Sequence, residues 1–235
     1  MRLQSADFVA GAAAARGAVI VIDVFRACSL IARAIAAGAE RVVPVAEISQ
    51  ARALKAAHPD WLLVGERHAR RLPGFDCGNS PTEVLAEPLR GRTLIHTTHA
   101  GTQGLVAAAV ACEHVFTGAF VNAAATVAAV RDLAPCELTV VAMGHEARER
   151  CLEDDLCRER LLALLGDRTR DAGPLTSAEL TDRLRRAPAA QKFFDPAADW
   201  APESDFTLCT ELDVVGFAVK LCRDPDGLLA LRRYD

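Results

Sequence analysis

Most of the short motifs that mark a cofactor or a reaction are missing from this sequence. It has no G-x-x-x-x-G-K-[ST] loop and no G-x-G-x-x-G turn, which excludes nucleotide binding in those two styles. His145 to Glu149 reads HEARE, without the second histidine of a zinc-protease helix. The eight cysteines are scattered and form no Cys-x-x-Cys pair, so spacing gives no structural zinc site. Cys28 and Arg33 stand one residue too close for a cysteine-phosphatase loop, which makes Cys28 a buried core thiol instead. The run Asp23 to Arg26 lacks the second acid of a D-x-D phosphatase motif. No long apolar run precedes Arg16, against both a signal peptide and a spanning helix. Basic charge is scarce too: the net charge of −4 offers no field to nucleic acid or an anionic membrane, and a small-molecule partner fits better.

These absences leave a chain of 235 residues, long enough to bury a substantial core as one domain over residues 1–235. At that size disulfide staples are not needed, so reduced thiols and a cytoplasmic location are expected. What the sequence does contain is alternation. Val19 to Ile22 run unbroken into Asp23, a pattern for a strand buried on both faces, and Leu30, Ile31, Ala34 and Ile35 then keep helical spacing. Asp23 therefore stands at a strand end beside a helix start, where α/β sheets collect ligands. A plain capping role for Asp23 is the alternative.

Further strands are expected at Gly38–Ala46, Trp61–Arg67, Glu113–Phe120 and Glu137–Met143, with helices between them. Ser80, Pro81 and Glu83 form a helix start with Ser80 as cap. Aligning the stretch around Asp23 with that around Thr98 pairs Leu30 with Leu105, Ile31 with Val106 and Ile35 with Val110. If those turns face one pocket from neighbouring strands, Thr97, Thr98, Gly101 and Thr102 come near Asp23. Glu153, Asp154 and Asp155 crowd the first turn of another helix, where the dipole favours acids and where one or two of them can turn toward a divalent cation. Thr176 to Arg186 looks like a capped amphipathic helix, and the segment from Ala187 to Glu203 carries no chemistry that the sequence reveals. The tail from Asp205 reads as short strands around a turn at Asp224 to Gly227, extending the sheet as antiparallel edge strands.

Five stretches, VIDVFRACS, GERHARRLPGFDCGNSP, TTHAGT, GAFVN and CLEDDLC, together resemble the 2-phosphosulfolactate phosphatase family in order and spacing, over roughly Val19 to Leu165. The resemblance implies a three-layer α/β/α fold with a mostly parallel mixed sheet. It also implies Mg²⁺-dependent hydrolysis of a small anionic phosphate ester, 2-phosphosulfolactate, on the way to coenzyme M. The family pattern falls on Asp23, Arg26, Glu66, Arg67, Asp76, Gly78, Asn79, Ser80, Thr98, Gly101, Thr102, Asn122, Glu153 and Asp154. Phosphoryl transfer needs charge neutralisation and a held nucleophile. Accordingly Asp23 is expected as metal ligand or phosphoryl acceptor, with Glu66, Asp76, Glu153 and Asp154 as further Mg²⁺ ligands. Arg26 and Arg67 are expected to grip the phosphate or the sulfonate as planar forks. Asn79, Ser80, Thr98, Gly101, Thr102 and Asn122 would contact substrate. Assembly as a homodimer is compatible with this reading.

The chain leaves the family pattern at His68 and Ala69 (usually Gly-Gly), at Cys28 (usually Thr), at His99 and Ala100 (usually Thr-Asn) and along Met143 to Ala147. His99 is expected to take over recognition of the substrate's second acidic group. Two other classes stay open: a non-catalytic binder of an anionic metabolite, and a metal-dependent hydrolase or lyase of another organic acid. Several acids in one pocket serve an enzyme better than an anion binder.

Overall fold

The apolar run ahead of Asp23 does form a strand buried on both faces, and the chain alternates around it as expected. The computed structural model describes residues 1–166 and 176–235. Its first half runs β1 (Arg2–Asp7), α1 (Phe8–Ala14), β2 (Gly17–Ile22), α2 (Ala27–Ala36), β3 (Arg41–Pro44), α3 (Ile48–Ala57), β4 (Leu62–Arg67), β5 (Arg70–Arg71) and α4 (Pro81–Leu85). There follow β6 (Thr93–Thr97), α5 (Gly101–Ala108), β7 (Cys112–Gly118), α6 (Ala123–Leu133), β8 (Glu137–Ala142) and α7 (Leu152–Leu165). The remainder is α8 (Ser177–Arg185), α9 (Glu203–Thr210), β9 (Ala218–Arg223) and β10 (Leu229–Tyr234).

Among the described residues ten strands lie in the order β1-β8-β2-β7-β9-β10-β3-β6-β4-β5. The pleat sends alternate residues of β2 to opposite faces. Val19 and Val21 join one core with α2 and α5 residues, and Ala18, Ile20 and Ile22 join another with α6 and α7 residues. In the other half of the sheet Leu62 and Val64 of β4 extend the first core, while Leu63 packs with Val43, Ala51 and Trp61 in a third. Helices thus cover both faces, giving three layers. Each fully buried Val or Ile contributes about 1.5–3 kcal/mol.

The antiparallel pair near the C-terminus is present but sits in the middle of the sheet rather than at its edge. β9 pairs with β7, and β10 with β3, so the hairpin joins two parallel groups. Burial accords with the position: Val219 and Leu231 are fully inaccessible. The Asp224 turn is tied down by Arg232 and Arg41, whose hydrogen bonds hold its carboxyl down to about 2. Because three antiparallel steps separate β7 from β3, the two groups run in opposite senses. β2 and β6 are therefore not neighbours. The loops that follow them meet nonetheless, for a Cβ on Gly101 would lie only 2.7 Å from Asp23 Oδ2 and 2.8 Å from the Ala27 Cβ. Only glycine permits that approach.

Two local readings are corrected. Val110 lies past the end of α5 and is 87% exposed, so it does not share the buried face of Leu105. The tail does not begin with a strand: Glu203–Thr210 is helical, with acids in its first turn and Phe206 and Cys209 buried three residues apart. Ser80 caps α4 as expected, its Oγ accepting from the Glu83 N–H at 3.2 Å. Thr176 caps α8 through a full capping box with Glu179.

Candidate active site

Strand ends from both groups converge on one cleft of about 400 Å³. β2 delivers Asp23, β4 delivers Glu66, the loop after β6 delivers His99, and the first turn of α7 delivers Glu153 and Asp154. All four acids are buried. Their oxygens divide into two kinds. Glu66 accepts the His99 N–H at 2.7 Å through Oε1 and the Ala69 N–H at 2.8 Å through Oε2. Asp154 accepts the Val24 and Gly144 N–H groups, each at 2.8 Å. These two carboxylates lock the loops that frame the cleft. Asp23 spends one oxygen on the Ala27 N–H at 3.2 Å, and Glu153 Oε2 finds no hydrogen-bond donor among the described residues.

Four buried carboxyls in one cleft repel. Burial pushes Asp23 up to about 6, with the Glu66 carboxylate adding to the rise and the Ala27 N–H opposing it. Asp154 is driven well above the usual carboxylate range by burial and then by the charges of Asp23 and Glu153. Burial also raises Glu153. In cation-free protein these groups hold protons in the folded state that the unfolded chain has already released, so their contribution to stability falls as pH rises from about 4 through about 6. A bound divalent cation removes that penalty. Mg²⁺ is therefore expected to raise Tm more at pH 7 than at pH 5, read from melting curves with and without the ion; equal shifts at the two values would contradict it.

Two cations line the same cleft. Arg26 is almost wholly buried, and its Nη1 donates to Asp205 Oδ2 at 2.7 Å and to the Trp200 carbonyl at 2.9 Å, while Nη2 reaches the Ala69 carbonyl at 3.2 Å. Its fork is thus turned onto protein groups rather than held open. Lys192 makes no ion pair among the described residues, lies against the faces of Phe25 and Phe193, and is held below its usual range by burial and by Arg26. Asn79 Oδ1 faces His96 Nε2 at 3.1 Å. Burial drops His96 to about 3, so it is neutral and donates there, which orients the Asn79 amide.

Several expected residues stand elsewhere. Asp76 is not in the cleft: it pairs with Lys55 at 2.8 Å and accepts the Leu63 N–H at 2.8 Å. Asp76→Asn is accordingly expected to leave turnover within about twofold of wild type, at the usual cost of one partly exposed pair; steady-state kinetics would check this, and a collapse of kcat would return Asp76 to the site. Arg67 does not line the acid cleft: it donates to the Glu66 and Ala46 carbonyls and to Thr97 Oγ1, bracing three strand ends. Ser80 Oγ donates to Asp205 Oδ1 at 2.8 Å and borders an adjacent groove rather than the acid cleft. Thr98 and Thr102 bond each other, N–H to Oγ1 in both directions, and so fix the start of α5 that seats Gly101 on Asp23. Asn122 donates to the Phe217 carbonyl at 3.3 Å and is fully buried outside the cleft. Gly78 donates its N–H to Glu83 Oε2 and borders the adjacent groove, not the acid cleft.

Lys192, Trp200 and Asp205 escaped the sequence reading. Lys192 and Trp200 come from the segment judged empty of chemistry, where a lone lysine beside Phe193 and Phe194 was the available signal. His145 and Glu146, also in the cleft, lie in the stretch noted only for departing from the family pattern.

A layered α/β sheet with acids, a guanidinium and an ammonium gathered at its strand ends defines an α/β enzyme. The family model for 2-phosphosulpholactate phosphatase matches residues 6–222. The chain belongs to that family. It is 31% identical over 209 residues to the probable 2-phosphosulfolactate phosphatase of Bacillus subtilis (strain 168), covering 87% of each chain. The probable 2-phosphosulfolactate phosphatase of Pseudothermotoga lettingae is 32% identical over 200 residues, 83% of this chain and 85% of that one. Its counterpart in Prochlorococcus marinus (strain MIT 9313) is 34% identical over 212 residues, again 83% and 85%.

Proposed function

We propose that this protein is a Mg²⁺-dependent phosphoric monoester hydrolase that converts 2-phosphosulfolactate to sulfolactate and phosphate. The observation that carries the reading is the set of four buried carboxyls around one cleft, with a lysine beside them that makes no ion pair among the described residues. The donor set fits the cation: it is all oxygen, as a hard ion requires, and Glu153 Oε2 is buried without a partner. Asp23 and Glu153 would hold Mg²⁺, with Glu66 and Asp154 keeping the loops rigid around it. Bound there, Mg²⁺ supplies Lewis-acid polarisation of a phosphoryl oxygen.

The chain's own groups account for the rest. Asp23 is ionised above about pH 6 and so available at neutral pH. Lys192 sets its ammonium against the charge of the ester, and its lowered pKa suits it to give a proton to the departing alkoxide. The Asn79 amide, oriented by neutral His96, donates to an ester or acid oxygen. His99 lines the cleft, where the substrate's second acidic group would lie. Unpaired thiols at all eight cysteines support a cytoplasmic setting, and the family resemblance supports a place in coenzyme M synthesis.

The test is phosphate release from a panel of small phosphate monoesters in the presence of Mg²⁺. The highest kcat/KM is expected for 2-phosphosulfolactate. Release from none of the panel would overturn the reading, and a higher kcat/KM on another acidic ester would reassign the substrate.

A further inference from the structure

The mouth of the cleft gathers ligands of a different kind from the acids below. His68 comes from the turn between β4 and β5, His99 from the loop after β6, and Glu146 from the loop after β8. One ligand atom of each lies within 4.8 Å of the other two. His68 Nδ1 meets Glu146 Oε1 at 2.5 Å, His99 Nδ1 stands 3.8 Å from the same oxygen, and the two imidazole rings sit edge to face at 4.8 Å. His99 Nδ1 is buried and has no hydrogen-bond partner among the described residues.

The backbone is bent to make this arrangement. His68, Ala69, Glu146 and Ala147 all have left-handed φ, between 51° and 61°, although none is glycine. Such backbone is unfavourable for a non-glycine residue and persists only where its surroundings impose it. Glu66 imposes it on one side by bonding the Ala69 N–H, and the His145–Glu149 backbone bond at 2.7 Å closes the loop on the other.

We propose that His68, His99 and Glu146 form a second divalent-cation site at the cleft mouth, one that takes a borderline transition ion such as Zn²⁺ in preference to Mg²⁺. Two imidazoles and one carboxylate are a common donor set for such ions, whereas Mg²⁺ prefers oxygen alone. Metal–ligand bonds of about 2.0–2.2 Å require the His68–Glu146 pair to open from its hydrogen-bonded 2.5 Å and His99 to close in from 3.8 Å. The His68 side chain, 74% exposed, has room to move. Three protein ligands would leave at least one coordination position open.

Co²⁺ is the probe, titrated into the full-length protein with excess Mg²⁺ present so that the acid cluster is already occupied. The expected result is a visible ligand-field band that saturates at a single equivalent and is outcompeted by Zn²⁺. In Glu146→Gln and in His68→Asn, each verified as folded by its melting curve, Co²⁺ affinity should fall by about tenfold or more. His68 is exposed, so its replacement leaves the core intact. Unchanged Co²⁺ affinity in both variants would overturn the proposal. A thiolate charge-transfer band would also overturn it by marking a cysteine as ligand, as would displacement of Co²⁺ by Mg²⁺. None of these readouts involves phosphate release, so failure here leaves the proposed hydrolysis untouched.

Discussion

Asp23→Asn should reduce turnover by roughly 10²–10³-fold or more while raising the Tm of the cation-free protein. The two effects have one cause. Asn keeps the shape and can still accept the Ala27 N–H, so the start of α2 survives. What disappears is the charge, which burial and then the neighbouring Glu66 carboxylate disfavour and which a cation or phosphoryl group requires. Removing it relieves repulsion in the empty cleft and removes the ligand from the filled one. Because Asp23 titrates near 6 when folded and at about 4 when unfolded, the Tm gain should be fullest at pH 7, shrink as pH falls through that window and be gone below about pH 4. Steady-state kinetics and melting curves in chelator measure both. Near wild-type turnover would reduce Asp23 to a helix cap.

Asp205→Ala is expected to cost about 3–5 kcal/mol, a Tm fall of roughly 10 °C for a domain of this size. Asp205 is fully inaccessible and accepts from Arg26, from Ser80 Oγ and from the Thr82 N–H. Without it the Arg26 guanidinium is left buried and unpaired, and α9 loses its tie to α4. Arg26→Met in the same background should recover part of the loss, since it removes the orphaned charge. Thermal melts of the single and double variants give the coupling directly, and additive losses would show that the pair is not a unit.

The sequence was legible where one residue pattern admits one structure. The run into Asp23, the Ser80–Pro81–Glu83 cap and the acids opening α7 all formed as read, because strand burial, capping and the helix dipole are local. Asp23, Glu66, Glu153 and Asp154 reached one cleft because each lies at a strand end or a helix start. The failures are long-range. Nothing local in Asp76 tells that Lys55 and the Leu63 N–H will claim it, and nothing in Arg67 tells that three strand ends will. The central position of the β9–β10 hairpin follows from joining two parallel groups, a pairing that short strands do not encode. Lys192 was overlooked because its environment is supplied by Phe25, Glu153 and Asp23, all distant in the chain. Thr98 and Thr102 were assigned to substrate when their hydroxyls are spent on each other, building the turn that brings Gly101 to Asp23.

The central claim is that this acid cleft works only with a divalent cation in it. The most direct measurement is phosphate release from 2-phosphosulfolactate by chelator-stripped protein as Mg²⁺ is added back. The account predicts no release in excess chelator and a saturable return of activity with Mg²⁺. Full turnover in excess chelator would contradict it.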